Sequence, residues 1–253
     1  MLRYNNMNCV YHADCMDVFP LIEDKLVDMV LVDLPYGQTA CNWDCLIDLD
    51  AMWVHLKRIC KPSANIIFFC TTRFGNALIN SNYKYFRYDL VWSKPSSNAG
   101  YLSANRMPLR KHEMIYVFGW SAGGKKTYNA QKTPGEPFDY GGREPQHDTI
   151  YAYRKKWKCI PNVTGDRHPG SIITRELTGE KRVHLTQKPL GLCEWLIKSY
   201  SNEGDVILDF TMGSGTTIVA AKNTKRRYIG VEKDDEIFEV AMKRLREVVP
   251  DSV

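Results

Sequence analysis

Residues 26–33, LVDMVLVD, alternate apolar with polar and then run apolar, ending at Asp33-Leu34-Pro35-Tyr36-Gly37. The pattern predicts a buried strand stopped by a turn, since Pro35 cannot donate to a ladder and Gly37 tolerates any backbone angle. Over 48–60 the period changes: Leu49, Met52, Trp53, Leu56 and Ile59 recur at helical spacing until Lys61-Pro62. Ile66-Ile67-Phe68-Phe69 then reads as a strand buried on both faces. A short helix near 73–80, a strand near 86–92 and a strand over 113–118 continue the alternation. From 121 to 183 no period is sustained, and Gly, Pro, Lys, Arg, Tyr and Asn predict loops and short irregular pieces. Regular pattern resumes with a helix from Pro189 to about 201, a strand over 205–209 and a helix opening at Gly215. A strand over 228–231 and a helix with Ile237, Val240, Ala241 and Leu245 on one face complete it. Strands alternating with helices predict an α/β fold, a mostly parallel sheet covered on both faces.

At 253 residues, with 44% hydrophobic and 25% charged, the chain has the profile of a globular protein with a sizeable core. No apolar run approaches the ~18 residues of a membrane span. MLRYNNMNCV lacks the apolar core of a secretory signal, so a cytoplasmic protein without a membrane partner is expected. Of the eight cysteines, only Cys41 and Cys45 lie close together as metal ligands do. No second pair or His cluster completes a site, so free thiols and no metal are expected.

The net charge of +5 is unevenly spread: residues 84–183 hold eighteen Lys or Arg against nine Asp or Glu, and the remainder sixteen against twenty. A polyanion suits such a stretch, because each Lys or Arg that meets a phosphate releases condensed counterions. By charge alone, a solvated basic surface would look the same.

Two motifs carry chemistry. The first is Val206 to Thr217, VILDFTMGSGTT, followed by Tyr228 to Asp234, YIGVEKD. A strand ends at Asp209, a loop carries Gly213 and Gly215, and a helix begins, so the backbone can approach a ligand at the carboxyl ends of the strands. Glu232 ends the next strand, where a carboxylate can accept from ribose hydroxyls. A phosphate-binding loop would need Lys before Ser or Thr, but Gly215 is followed by Thr216-Thr217. A dinucleotide fingerprint would need Gly or Ala where Ile218 stands, which also argues against a nicotinamide-dependent oxidoreductase. Asp209 would repel phosphates. A nucleoside ligand with cationic groups remains, and S-adenosylmethionine fits that description. A purely structural glycine turn is the alternative.

The second motif is Asp33-Leu34-Pro35-Tyr36. A carboxylate and a carbonyl beside Pro35, with no competing N–H, present two acceptors together. They suit an exocyclic amino group whose lone pair is delocalised into a nucleobase, since two acceptors on its hydrogens favour a tetrahedral nitrogen. Tyr36 could stack on the base face. Alone, such a turn is also compatible with an ordinary strand end.

Together the motifs resemble the DNA amino-methyltransferases that act on adenine N6 or cytosine N4. Their order, with DLPY first and the glycine loop near the C-terminus, is the permuted order of the beta group. It excludes the protein glutamine methyltransferases, in which the similar motif follows the glycine loop. DLPYG, PLRKHEMIYVF and TQKPLGLCEWLIKSYSNEGDVILDFTMGSGTT look closest to phage and prophage enzymes. The resemblance implies a Rossmann-like permuted methyltransferase fold. It would comprise a catalytic half over 1–120, an irregular target-recognition insert over 121–183 and a cofactor-binding half over 184–253.

It further implies S-adenosylmethionine as cofactor and N6 of adenine in DNA as the target, reached by flipping the base out of the helix. Asp33 rather than Ser favours adenine over cytosine N4. Asp33, Pro35 and Tyr36 would be catalytic, with Asp33 also near the cofactor. Asp209, Phe210, Gly213, Ser214, Gly215, Thr216 and Thr217 would form the cofactor loop, Glu232 would hold the ribose, and Lys233 would lie beside the adenine ring. His184-Leu185-Thr186-Gln187-Lys188-Pro189 is similar to the family's HPTQKP, putting Thr186 and Lys188 near the methionine carboxylate. Tyr11 to Asp17 is similar to its G-D-C segment, putting Asp14 and Cys15 near the cofactor adenine. Leu34, Ala13 and Leu185 depart from the usual Pro, Gly and Pro.

In the insert, Tyr128, Phe138, Tyr140, Tyr151, Tyr153 and Trp157 interleave with Arg154, Lys155, Lys156 and Lys158, suited to phosphate contact and stacking or to a small aromatic core. Lys94 and Arg106 are expected near DNA. The rivals are an N4-cytosine enzyme and a silent DNA-binding protein of the same fold; cytosine C5 chemistry lacks its Pro-Cys element. Members of the group pair as dimers, which is carried over as an expectation. A cognate restriction nuclease and the recognition sequence are not readable.

Overall fold

The computed structural model describes residues 8–37, 46–95, 100–120, 126–139, 161–174 and 187–248. Eight strands form one sheet: β1 Cys9–His12, β2 Val27–Asp33, β3 Cys60–Cys70, β4 Phe86–Ser93, β5 His112–Phe118, β6 Ile172–Thr174, β7 Val206–Asp209 and β8 Arg227–Glu232. Their order is β1-β8-β7-β2-β3-β5-β4-β6. All pairs are parallel except those β5 makes with β3 and β4.

The apolar runs of β2 and β3 are what a sheet covered on both faces requires. Val30, Val32, Ile66 and Phe68 enter one core and Met29, Leu31, Ile67 and Phe69 the other. Helices α1 Cys15–Val18, α2 Leu49–Ile59 and α3 Thr72–Ser81 contribute to the first core. Helices α4 Leu190–Tyr200, α5 Thr216–Asn223 and α6 Asp235–Glu247 contribute to the second. Asp48, Thr71 and Asp234 cap α2, α3 and α6 by accepting from N–H groups of their first turns. The apolar stripe of α2 buries Met52, Trp53, Leu56 and Ile59, and the Trp53 indole donates to Ser81 Oγ at 2.8 Å.

Three elements depart from the sequence expectation. β1 is only partly buried, so it writes no unbroken apolar run, and lies at a sheet edge. β3 begins at Cys60 rather than Ile66, because its pairing with β2 jumps from Val27–Cys60 to Met29–Asn65 and leaves Pro62 outside the ladder. Ile172–Thr174, within the stretch expected to be irregular, pairs with β4 as an edge strand and buries Ile173.

Residues 130–170 form a separate compact unit. Its described part is tied by antiparallel bridges Thr133–Arg167 and Phe138–Asn162. The Arg167 guanidinium lies 4.7 Å from the centre of the Phe138 ring. Gly165 has φ of +76°, and a Cβ there would stand 2.0 Å from the Gly135 carbonyl oxygen, so no other residue fits. Among the described residues, no helix is long and apolar enough to cross a membrane.

Candidate active site

The chain runs outward in opposite directions from the β7–β2 boundary, through β8 toward β1 and through β3 toward β6. Open α/β sheets bind ligands at the carboxyl ends of strands at such a reversal. Asp33 ends β2, Asp209 ends β7 and Glu232 ends β8, and all three line one cleft open to solvent. Its walls include Asp14, Cys15, Pro35, Lys188, Phe210, Gly213, Ser214, Thr216, Thr217 and Lys233.

At one end the site is made of backbone. Gly213 N–H donates to Glu232 Oε2 at 2.9 Å, and the N–H groups of Lys233 and Asp234 donate to Oε1, each at 2.9 Å. Gly213 has φ of +52° and faces open space. Asp209 is buried, and that burial pushes its carboxyl up to about 7, although Thr217 and the Thr211 N–H favour the charged form. Arg244 on α6 ties the loop down through the Ser214 carbonyl at 2.6 Å and Thr216 Oγ1 at 3.0 Å. Asp14 caps α1, and burial together with Asp14 pushes the Cys15 thiol up to about 12, so Cys15 is a packing residue rather than a nucleophile. Phe210 is almost fully buried and meets Phe19 edge-on.

At the other end the site is made of side chains. The Tyr36 hydroxyl donates to Asp33 Oδ1, and Lys188 Nζ donates to Asp33 Oδ2. Thr211 Oγ1 donates to the Asp33 carbonyl at 3.0 Å. Burial and the adjacent Asp33 push the Tyr36 phenol well above its usual value, so it stays a donor. Its ring tilts against Phe74 at 5.4 Å. Burial opposes the charge on Lys188, yet Asp33 and Glu113 hold its ammonium above the usual value. Burial likewise works to raise Glu113, but Lys188 and Lys94 outweigh it and hold that carboxyl low.

Thus Asp33, Pro35, Asp209, Phe210, Gly213, Ser214, Thr216, Thr217, Glu232, Lys233, Asp14 and Cys15 line one cleft, whereas Gly215 packs against Ala241. Lys188 is also present, but bonded to Asp33 rather than free to meet an anionic ligand. Lys94 pairs with Glu113 and lies over the Trp92 ring, while Arg106 is exposed. Thr186, Arg154, Lys155, Lys156 and Lys158 lie outside the described residues, as do Tyr140, Tyr151, Tyr153, Trp157, Cys41, Cys45 and Cys159. Sequence reasoning missed Glu113, Thr211, Ile47, Phe69 and Ile237. A carboxylate entering the apolar run EMIYVF was the available signal for Glu113.

The family model described as DNA methylase matches residues 27–243, from the start of β2 into α6. The chain belongs to the DNA methylase family. Among curated relatives, the type II methyltransferase M1.MboII of Moraxella bovis is 27% identical, across 91% of this chain and 93% of its own length. M.HinfI of Haemophilus influenzae is 25% identical, across 96% of this chain and 70% of that one. Of solved structures, the cytosine-N4-specific PvuII DNA methyltransferase covers 96% of this methylase, and 87% of that chain is covered, with TM-score 0.69 and 13% identity. The complex of M1.HpyAVI with S-adenosylmethionine covers 93%, and 98% of that chain is covered, with TM-score 0.59 and 22% identity. These last two likenesses support the Rossmann-like fold of the methylase.

Proposed function

We propose that this methylase transfers the methyl group of S-adenosylmethionine to N6 of adenine in DNA, acting on a base flipped out of the helix. The observation that carries this reading is one cleft lined by Asp33, Asp209 and Glu232 at the ends of three adjacent strands. The cleft fits the cofactor: Asp209 offers a buried carboxyl to a cation, Glu232 Oε2 keeps a lone pair for a hydroxyl, and Gly213 leaves the approach open. Asp209 would hold the cationic amino group, Glu232 the ribose, and Asp14, Cys15 and Lys233 the adenine end, with Thr186 near the carboxylate.

When bound, S-adenosylmethionine supplies an electrophilic methyl on a positively charged sulfur. The protein's part is orientation and hydrogen bonding. Asp33 accepts from the amino group, the carbonyl beside Pro35 accepts from its second hydrogen, and Tyr36 closes over the ring. The nitrogen lone pair would then be free to take the methyl as its bond to sulfur breaks and a neutral thioether leaves, with Asp33 placed to receive the proton the nitrogen gives up. Arg106 and the basic cluster Arg154, Lys155, Lys156 and Lys158 serve phosphate contact, and the insert over 121–183 reads the sequence. Cytosine N4 is the second reading, because the same pair of acceptors would serve its amino group.

The test is purified protein with labelled S-adenosylmethionine and unmethylated genomic DNA, followed by nucleoside mass spectrometry. N6-methyladenine is expected. N4-methylcytosine would replace the target base and keep the mechanism. Cofactor binding without any product would overturn DNA as the substrate, and absence of cofactor binding would favour a silent DNA-binding protein.

A further inference from the structure

Asp33 has both carboxylate oxygens engaged, Oδ1 by the Tyr36 hydroxyl and Oδ2 by the Lys188 ammonium. Each oxygen keeps a lone pair, so an arriving amino group must share its acceptor with a donor already in place. On the other side of the same ammonium, Glu113 Oε2 lies 3.5 Å from Lys188 Nζ, buried and, among the described residues, without a hydrogen-bond partner. Its second oxygen, Oε1, is fixed by Lys94, whose Nζ also stands 4.7 Å from the centre of the Trp92 ring. A buried carboxylate oxygen without a donor is costly, and here the missing donor is already within reach.

We propose that Lys188 is a transferable ammonium and that Glu113 is the positioning residue that draws it off Asp33 when the target base enters. The inference rests on Asp33 being the acceptor for the target amino group. The exchange leaves no charge unpaired. Lys188 stays between two carboxylates throughout, its three N–H donors are redistributed toward Glu113, and the base's own N–H takes the vacated place on Asp33. Lys94 holds Glu113 from behind, so the ammonium moves and the receiving carboxylate does not.

The test compares wild type, Glu113→Gln, Lys188→Met and the double variant in single-turnover methyl transfer on duplex target DNA. Cofactor is kept saturating, as set by calorimetry for each variant. Glu113→Gln should slow transfer roughly 10–100-fold, the worth of one hydrogen bond to a charged group, with cofactor affinity within about twofold. It should also shrink the preference for duplex with adenine at the target over duplex with unsubstituted purine there, read by anisotropy without cofactor. The double variant should transfer faster than Glu113→Gln, because no ammonium then remains to compete for Asp33. A merely structural ion pair would also couple the two losses but would leave the adenine-over-purine preference unmoved. Normal transfer in Glu113→Gln, additive losses or an unmoved preference overturns the switch while leaving the methylase reading intact if Asp33→Ala is inactive. A wild type that methylates no DNA overturns both.

Discussion

At Gly213 and Glu232 the cleft is held by backbone N–H groups from two adjacent loops, whereas at Asp33 it is held by side chains from four separate stretches of chain. Backbone donors cannot leave Glu232 without refolding the loop, so that end is rigid. Ion pairs can trade partners through small side-chain movements, so the Asp33 end can respond to what enters it. A transferase that binds one ligand passively and must open for another has reason to build its two ends differently.

The sharpest way to break this comparison is Asp33→Ala. Turnover should fall by about 10²–10³ or more, while calorimetry shows cofactor affinity largely kept. Strong loss of cofactor binding would mean the two ends are one unit. Glu232→Ala should do the reverse, weakening cofactor binding roughly 10–100-fold with single-turnover transfer at saturation largely retained.

A third test uses pH. Burial holds the Asp209 carboxyl up near about 7, so it takes a proton as pH falls through that value and loses its attraction for a cation. Cofactor affinity should then drop by up to about tenfold per pH unit below that point, and flat binding between pH 6 and 8 would remove Asp209 from the contact. Stability should move oppositely. A carboxylate raised in the folded state binds a proton more tightly there than when unfolded, so its contribution declines as pH rises from about 4 to about 7. Asp209→Asn should therefore raise the melting temperature of the cofactor-free protein at pH 8 while weakening cofactor binding. The smallest effect is expected at exposed Arg106. Its change to Ala should weaken DNA binding a few-fold and reduce the salt slope by about one, and an unchanged slope would take it out of phosphate contact.

The backbone-built end was readable in sequence because it is contiguous: strand, glycine turn and helix occupy Val206 to Thr217, and Glu232 ends the next strand. Core strands were readable for the same reason, since burial on both faces writes an unbroken apolar run. The network at Asp33 was not. Lys188 and Asp33 are 155 residues apart in sequence, and which partner Lys188 chooses depends on register between β4 and β5, where Trp92 faces Glu113. Edge strands β1 and β6 escaped because, unlike the equally short β7, they are only partly buried and write no unbroken apolar run.

The way the chain enters and leaves the 130–170 unit has a consequence for how such a protein can change. On the entry side, Asn129 is pinned by its N–H to the Ser199 carbonyl at 2.7 Å and by its side chain to the Ser201 carbonyl at 3.0 Å. On the exit side, Ser171 accepts from Val91 N–H at 2.8 Å and leads straight into β6. Both anchors belong to the catalytic body, so material spliced between them can vary in length and composition without disturbing a single core strand. The insert is therefore a cassette with fixed sockets.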